Sequence, residues 1–225
     1  MPPLDTHPLA LPACHLATVV SVEDPQRLAR VKVRLLTVDA DGAAEIWARV
    51  AVPFAGGGRG ALLIPDVGDE VLVTFLAGDT RFPIVLGGLW NGAATPPEQF
   101  GGNRVDRWSL TGKAGTRIAI VEERDGSEKI ELSTPQGVKG TLTDEGGGSI
   151  TFEDTAGSRI TIDSQGIALE TPLQVKVQAS QVAVSAGMVK VDAGMSTFSG
   201  VVKCDVLIAS TVVSSTYTPG AGNIW

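Results

Sequence analysis

Aromatic residues are scarce in this chain of 225 residues, at 5%, and basic charge is in deficit, with 18 Lys and Arg against 25 Asp and Glu. The formal net charge of −7 argues against a nucleic-acid backbone as partner, because such proteins present a basic surface. The thin supply of aromatics likewise argues against a platform for stacking single-stranded bases. No apolar run approaches the ~20 residues that a bilayer-spanning helix needs. Histidine is confined to His7 and His15, so neither a His-based triad nor a His metal cluster can form in the later part of the chain. Cys14 and Cys204 lie far apart in regions of different pattern and are expected to be buried free thiols, not a disulfide or a metal site. The opening Met1-Pro-Pro-Leu-Asp-Thr-His-Pro8 lacks the basic start and clean apolar core of a signal peptide. Leu11-Pro12-Ala13-Cys14 has only a faint likeness to a lipoprotein cleavage site, which Pro12 and the missing basic residues disfavour. A route out of the cell without a cleaved signal is the expectation.

Glycine, by contrast, is plentiful at 27 residues, and the chain reads as turn-rich and all-β. Over residues 149–213 short apolar pairs of the form Φ-x-Φ recur: Ile150/Phe152, Ile160/Ile162, Ile167/Leu169, Val175/Val177, Val182/Val184 and Val189/Val191. The last three start at intervals of 7, which could suggest a coiled coil. The spacing within each pair decides otherwise: residues two apart share a face of a strand but lie about 200° apart on a helix. Val, Ser, Thr and Gly between them also disfavour helix. The stretch is therefore a run of very short, regularly turned strands.

Such strands cannot enclose a core alone, because each repeat offers only one or two apolar side chains. A single-chain β-helix uses roughly 20 or more residues per coil. A period of 7 to 10 suits one side of a triangle, with two further copies supplying the other sides. The expectation is an intertwined homotrimer in which Ile160, Ile162, Val175, Val177, Val182, Val184, Val189 and Val191 meet on a shared axis. About a dozen strands stacked at ~4.8 Å would give a prism on the order of 50–60 Å long.

Ahead of this region, residues 16–23, 28–38, 45–52, 68–76 and 82–92 read as five strands. In the second, Val31, Val33 and Leu35 alternate with Arg30, Lys32 and Arg34, giving an apolar face and a strongly basic one. Gly56-Gly57-Gly58-Arg59-Gly60 lacks the Gly-Lys-Ser/Thr ending of a phosphate loop and is expected to be a flexible loop. Five strands in about 80 residues without a helix fit a small Greek-key barrel of the OB type. The basic face is then a solvated or protein-contacting surface.

The run Pro65-Asp66-Val67-Gly68-Asp69-Glu70-Val71-Leu72-Val73-Thr74-Phe75, followed by Gly78-Asp79, Pro83-Ile84-Val85-Leu86-Gly87 and Leu89-Trp90-Asn91-Gly92, resembles the OB-domain signature of central spike proteins. These belong to contractile phage tails, R-type bacteriocins and type VI secretion, where they are the valine-glycine repeat proteins. The position before the closing Asn is often Tyr in the family and is Trp90 here. The signature makes Gly68, Asp69, Gly78, Asp79, Pro83, Gly87, Trp90 and Asn91 structural residues of the barrel. The resemblance implies a puncturing spike at the centre of a baseplate, docked through its OB domain on hub and tube proteins and pointing toward a target envelope. It implies a component of a virion or an extracellular injection particle, assembled in the cytoplasm, and the short stretch before the barrel favours the phage or bacteriocin branch.

The resulting division is an N-terminal arm at 1–12, the OB domain at 13–92, a linker at 93–112, a trimeric β-helix at 113–216 and a tip segment at 217–225. Some family spikes hold a metal at the tip through a His-x-His pair; no histidine follows His15, so no metal and no cofactor are expected. Tyr217, Pro219, Ile224 and Trp225 are candidates for contact with a separate tip protein of the Pro-Ala-Ala-Arg-repeat (PAAR) class, or for a self-folded apolar plug. Glu122, Glu123, Glu128 and Glu131 read as a solvated face, and catalysis is not expected. The competing readings are a tail-associated carbohydrate-active β-helix enzyme and an OB-fold nucleic-acid binder, disfavoured by the short repeat and the acidic charge.

Overall fold

Alternation of small aliphatic and charged residues builds the first half of the chain. The computed structural model describes residues 14–36 and 45–216. The N-terminal arm, residues 37–44 and the tip candidates Tyr217, Pro219, Ile224 and Trp225 lie outside the described residues. Strands β1 (His15–Ser21), β2 (Val31–Leu35) and β3 (Glu45–Val50) are followed by a short hairpin, β4 (Ala55–Gly56) with β5 (Arg59–Gly60). The glycine-rich stretch expected to be a loop is thus a tight two-strand turn. After β6 (Glu70–Phe75) and β7 (Pro83–Leu89) the order β1-β2-β3-β7-β6 closes, with β1 pairing back onto β6.

Val31, Val33 and Leu35 point inward and join Ala17, Val19, Ala48, Val71, Val73 and Val85 in one buried cluster. The fully buried large side chains of this barrel are all valines. A five-stranded barrel is narrow, and β-branched residues of that size fill it in their preferred rotamers. Each fully buried valine contributes about 1.5–3 kcal/mol relative to exposure. The other face of β2 is neutralised: Arg30 pairs with Asp24 at 2.7 Å, while Lys32 and Arg34 both reach Glu45 at 2.8 Å. The basic stripe expected from sequence is therefore an ion-paired surface, because its acidic partners come from a neighbouring turn and strand.

The signature residues serve the barrel's connections. Gly68 adopts φ +96 and Gly78 φ +77, conformations that favour glycine. The Asp69 carboxylate accepts the Asp66 N–H at 2.8 Å, and Asp79 accepts the Arg81 N–H at 2.9 Å. Asn91 donates to Glu70 at 2.9 Å and accepts the Ala94 N–H at 2.9 Å, closing the turn after β7. Between Leu72 and Val73 the β6–β7 register slips by one residue, so that Leu72 faces Gly87 and Val73 faces Val85. Beyond this bulge Leu86–Leu89 leave the core and are exposed.

The second half is an antiparallel meander. Strands β8 (Arg107–Thr111), β9 (Arg117–Val121), β10 (Lys129–Ser133), β11 (Lys139–Thr143), β12 (Ser149–Glu153), β13 (Arg159–Asp163) and β14 (Gly166–Glu170) form one sheet in chain order. Its first strand falls inside the stretch expected to be a linker. Residues 14–174 fall in one compact unit and residues 175–216 in another. In the latter no strand forms and every residue is exposed. The short strands expected past residue 170 are therefore absent from the single chain. The physical reason is that a five-residue extended segment is stable only when hydrogen-bonded to a neighbour. Cys14 and Cys204 are free, but both are exposed, contrary to the expected burial.

Candidate functional site: an uncovered apolar sheet face

Each strand of the meander carries a pair of residues on the same face, and the registers align these pairs into two continuous rows. One row runs Trp108, Ile120, Ile130, Leu142, Ile150, Ile162, Ile167. The other runs Leu110, Ile118, Leu132, Gly140, Phe152, Ile160, Leu169. Cross-strand neighbours of this kind are the unit of sheet stability. Gly140 is the one gap, and the Phe152 ring fills it: a Cβ there would sit 2.8 Å from the ring.

Among the described residues of the 14–174 unit nothing covers these rows. Apart from Gly140 and half-buried Ile150, their side chains are exposed, from 37% at Leu142 to 77% at Ile167. A contiguous apolar face of this extent marks an interaction surface. The expected core residues Ile160 and Ile162 lie on it, at 43% and 41% exposure. Val175, Val177, Val182, Val184, Val189 and Val191 are also exposed, in the separate 175–216 unit. Trp108, Leu110, Ile118, Ile120, Ile130 and Leu132 extend the face toward the barrel. Their signal was the same Φ-x-Φ spacing, masked by longer turns between the pairs.

The opposite face of β8–β10 is occupied by residues 98–106 through an ion-pair belt. Glu98 reaches Arg117 at 2.8 Å, and Arg117 continues to Glu131 at 2.5 Å. Arg107 binds Asp106 and Glu123, each at 2.9 Å, and Arg104 donates to the carbonyl oxygens of Glu122 and Glu123. Asp106 is buried and accepts the Gly101 N–H at 3.2 Å. The Arg117 guanidinium holds the Glu98 carboxyl down at about 2, and Arg107 does the same for Asp106, also at about 2. Ala119 and Val121 are buried on this side. Glu123 and Glu131, expected as solvated carboxylates, are thus bound into the belt. A further ion pair, Lys113 with Asp66, joins the first meander turn to the barrel.

Among the described residues no cluster of three or more His, Cys, Asp or Glu side chains could hold a metal ion. His15 instead packs edge-on against Phe75 at 5.5 Å. Among the same residues no helix is long and apolar enough to cross a membrane. What the described residues present at this site is exposed apolar surface.

Comparison with known proteins matches the two halves separately. Residues 15–90 match the type VI secretion system/phage-baseplate injector OB domain, and residues 129–196 the phage baseplate V C-terminal trimerisation domain. Among curated relatives, the type VI secretion system spike protein VgrG4b of Pseudomonas aeruginosa is 37% identical over 94 residues, 40% of this chain and 12% of the relative. VgrG1a of the same species is 33% identical over 92 residues, 38% of this chain and 14% of the relative. The actin cross-linking toxin VgrG1 of Vibrio cholerae is 30% identical over 102 residues, 44% of this chain and 9% of the relative. The aligned part of the chain thus spans about an eighth of the length of the first two.

Proposed function

We propose, for a chain that carries the OB and trimerisation domains of baseplate spikes and so belongs with the central spikes of contractile injection systems, that it works as a homotrimeric membrane-puncturing spike. Its OB domain docks on the hub and tube proteins of the baseplate, and its far end is directed at the target envelope. The part it plays is mechanical, not enzymatic. It travels as a component of a phage virion or of a secreted injection particle.

The observation that carries this reading is the pair of uncovered apolar rows on β8–β14. Two further copies of the same face would bury them, removing apolar area from water at about 25 cal/mol per Å². The exposed, strandless residues 175–216 fit the same picture, since strands from other copies would supply their hydrogen bonds. Residues 217–225 then offer the end of the spike to a small PAAR-class tip protein.

Native mass measurement on the purified chain tests the reading. A species at three times the 23.3 kDa chain mass is expected, and a stable single-chain species would overturn it. Deleting residues 217–225 should leave the trimeric mass unchanged while abolishing capture of the tip protein. Loss of the trimer on that deletion would instead make the segment an axial plug.

A further inference from the structure

We infer that contact between copies begins at Trp108, well ahead of the matched trimerisation domain at 129–196, and that as far as Glu170 the copies meet as preformed walls without exchanging strands. This rests on the trimer proposed above, and adds where its seal starts and how it is made.

Continuity of the rows gives the starting point. Five strands of the meander, β10–β14, lie within the match, and the same two rows run on without a break through β9 and β8. Ile120 stands directly opposite Ile130, and Trp108 directly opposite Ile120. Their exposures, 47% at Ile120 and 53% at Trp108, are like those of Ile130 and Ile160 inside the match. A partner that covered β10–β14 and stopped there would leave four large apolar side chains at its rim.

Backbone pairing gives the mode of contact. Strands β9 to β13 are each hydrogen-bonded on both sides by strands of the same chain, so they have no free edge for another backbone. The polar side of β8–β10 is already taken by residues 98–106. The apolar rows are what remains open, and they can engage another copy only through side chains. The sheet's two free edges are β8 and β14, and at β14, where the chain runs on into the strandless residues 175–216, main-chain exchange between copies can begin. On this inference the intertwined part of the expected 113–216 β-helix starts after Glu170.

The test uses the full-length chain with the photo-crosslinking residue p-benzoylphenylalanine placed singly at Trp108, Ile162 or Thr141. Thr141 lies on the polar side of β11, out of register with both rows. The expected result is a trimeric native mass for all three, with interchain bands at two and three times the chain mass from positions 108 and 162 and none from 141. A trimeric mass with crosslinks from 162 and silence at 108 overturns the early seal and leaves the trimer standing. Crosslinks from 141 as strong as those from 162 overturn the wall-to-wall mode. A monomeric mass for the unmodified chain overturns the trimer and this inference together.

Discussion

Three glycines occupy the same place in successive turns on one side of the meander: Gly115, Gly137 and Gly157, with φ of +94, +92 and +91. Each lets the chain reverse in a conformation that costs an L-residue roughly 1–2 kcal/mol. At Gly137 the space is also tight, since a Cβ would lie 3.0 Å from Thr155 Cγ2. Gly137→Ala is therefore expected to destabilise the fold by ~1–2 kcal/mol in denaturant unfolding. Gly87→Ala should change stability by less than ~0.5 kcal/mol, because that site has open space and no positive φ. A signature position and a demanding position are thus different things. Thr134-Pro-Gln-Gly137 carries a turn signal, but the contact with Thr155 depends on stacking of one turn on the next. No local sequence pattern encodes that.

Among the elements, the belt over β8–β10 shows where composition misleads. Residues 93–112 have the Pro, Gly and polar content of a linker, and that reading overlooks both β8 and the docking of residues 98–106. The ion pair of Glu98 with Arg117 joins residues 19 apart, a separation without a periodic signature. The belt also sets a pH dependence. Because Glu98 is held at about 2 against an ordinary value of 4.5, its pairing contributes fully above about pH 4.5 and is lost as pH falls toward 2. Thermal unfolding followed between pH 6 and 2 should show stability falling across that window. In Glu98→Gln the fall should be shallower, with lower stability at pH 6. An unchanged pH profile in the variant would remove Glu98 from the account.

At the level of the whole molecule, alternation in the sequence was enough for the barrel strands, the all-β class and the apolar pairs from Ile150 to Leu169. It identifies which residues share a face. It does not say whether the hydrogen-bonding neighbour belongs to the same chain, which is why the meander and the strandless 175–216 stretch look alike in sequence. Hydrogen exchange separates them. In the assembled protein both regions should be protected. In a variant dissociated by Ile130→Glu with Ile162→Glu, amides of β9, β11 and β12 should retain protection while those of 175–213 lose it at least a hundredfold. Equal loss in both regions would mean that the meander, too, forms only on assembly.

The turn contacts of the meander have a mechanical consequence. A Cβ at Gly115 would come to 3.8 Å from the Pro135 ring and one at Gly157 to 3.7 Å from the Pro172 ring, with 3.0 Å to Thr155 Cγ2 at Gly137 between them. A push along the direction in which the strands succeed one another has only the narrow gaps left by the missing side chains to close. A pull in that direction opens one ladder at a time, so that only a few hydrogen bonds resist at any moment. The sheet is therefore expected to yield sooner under tension than under compression, an asymmetry that suits the proposed spike, which is driven forward once.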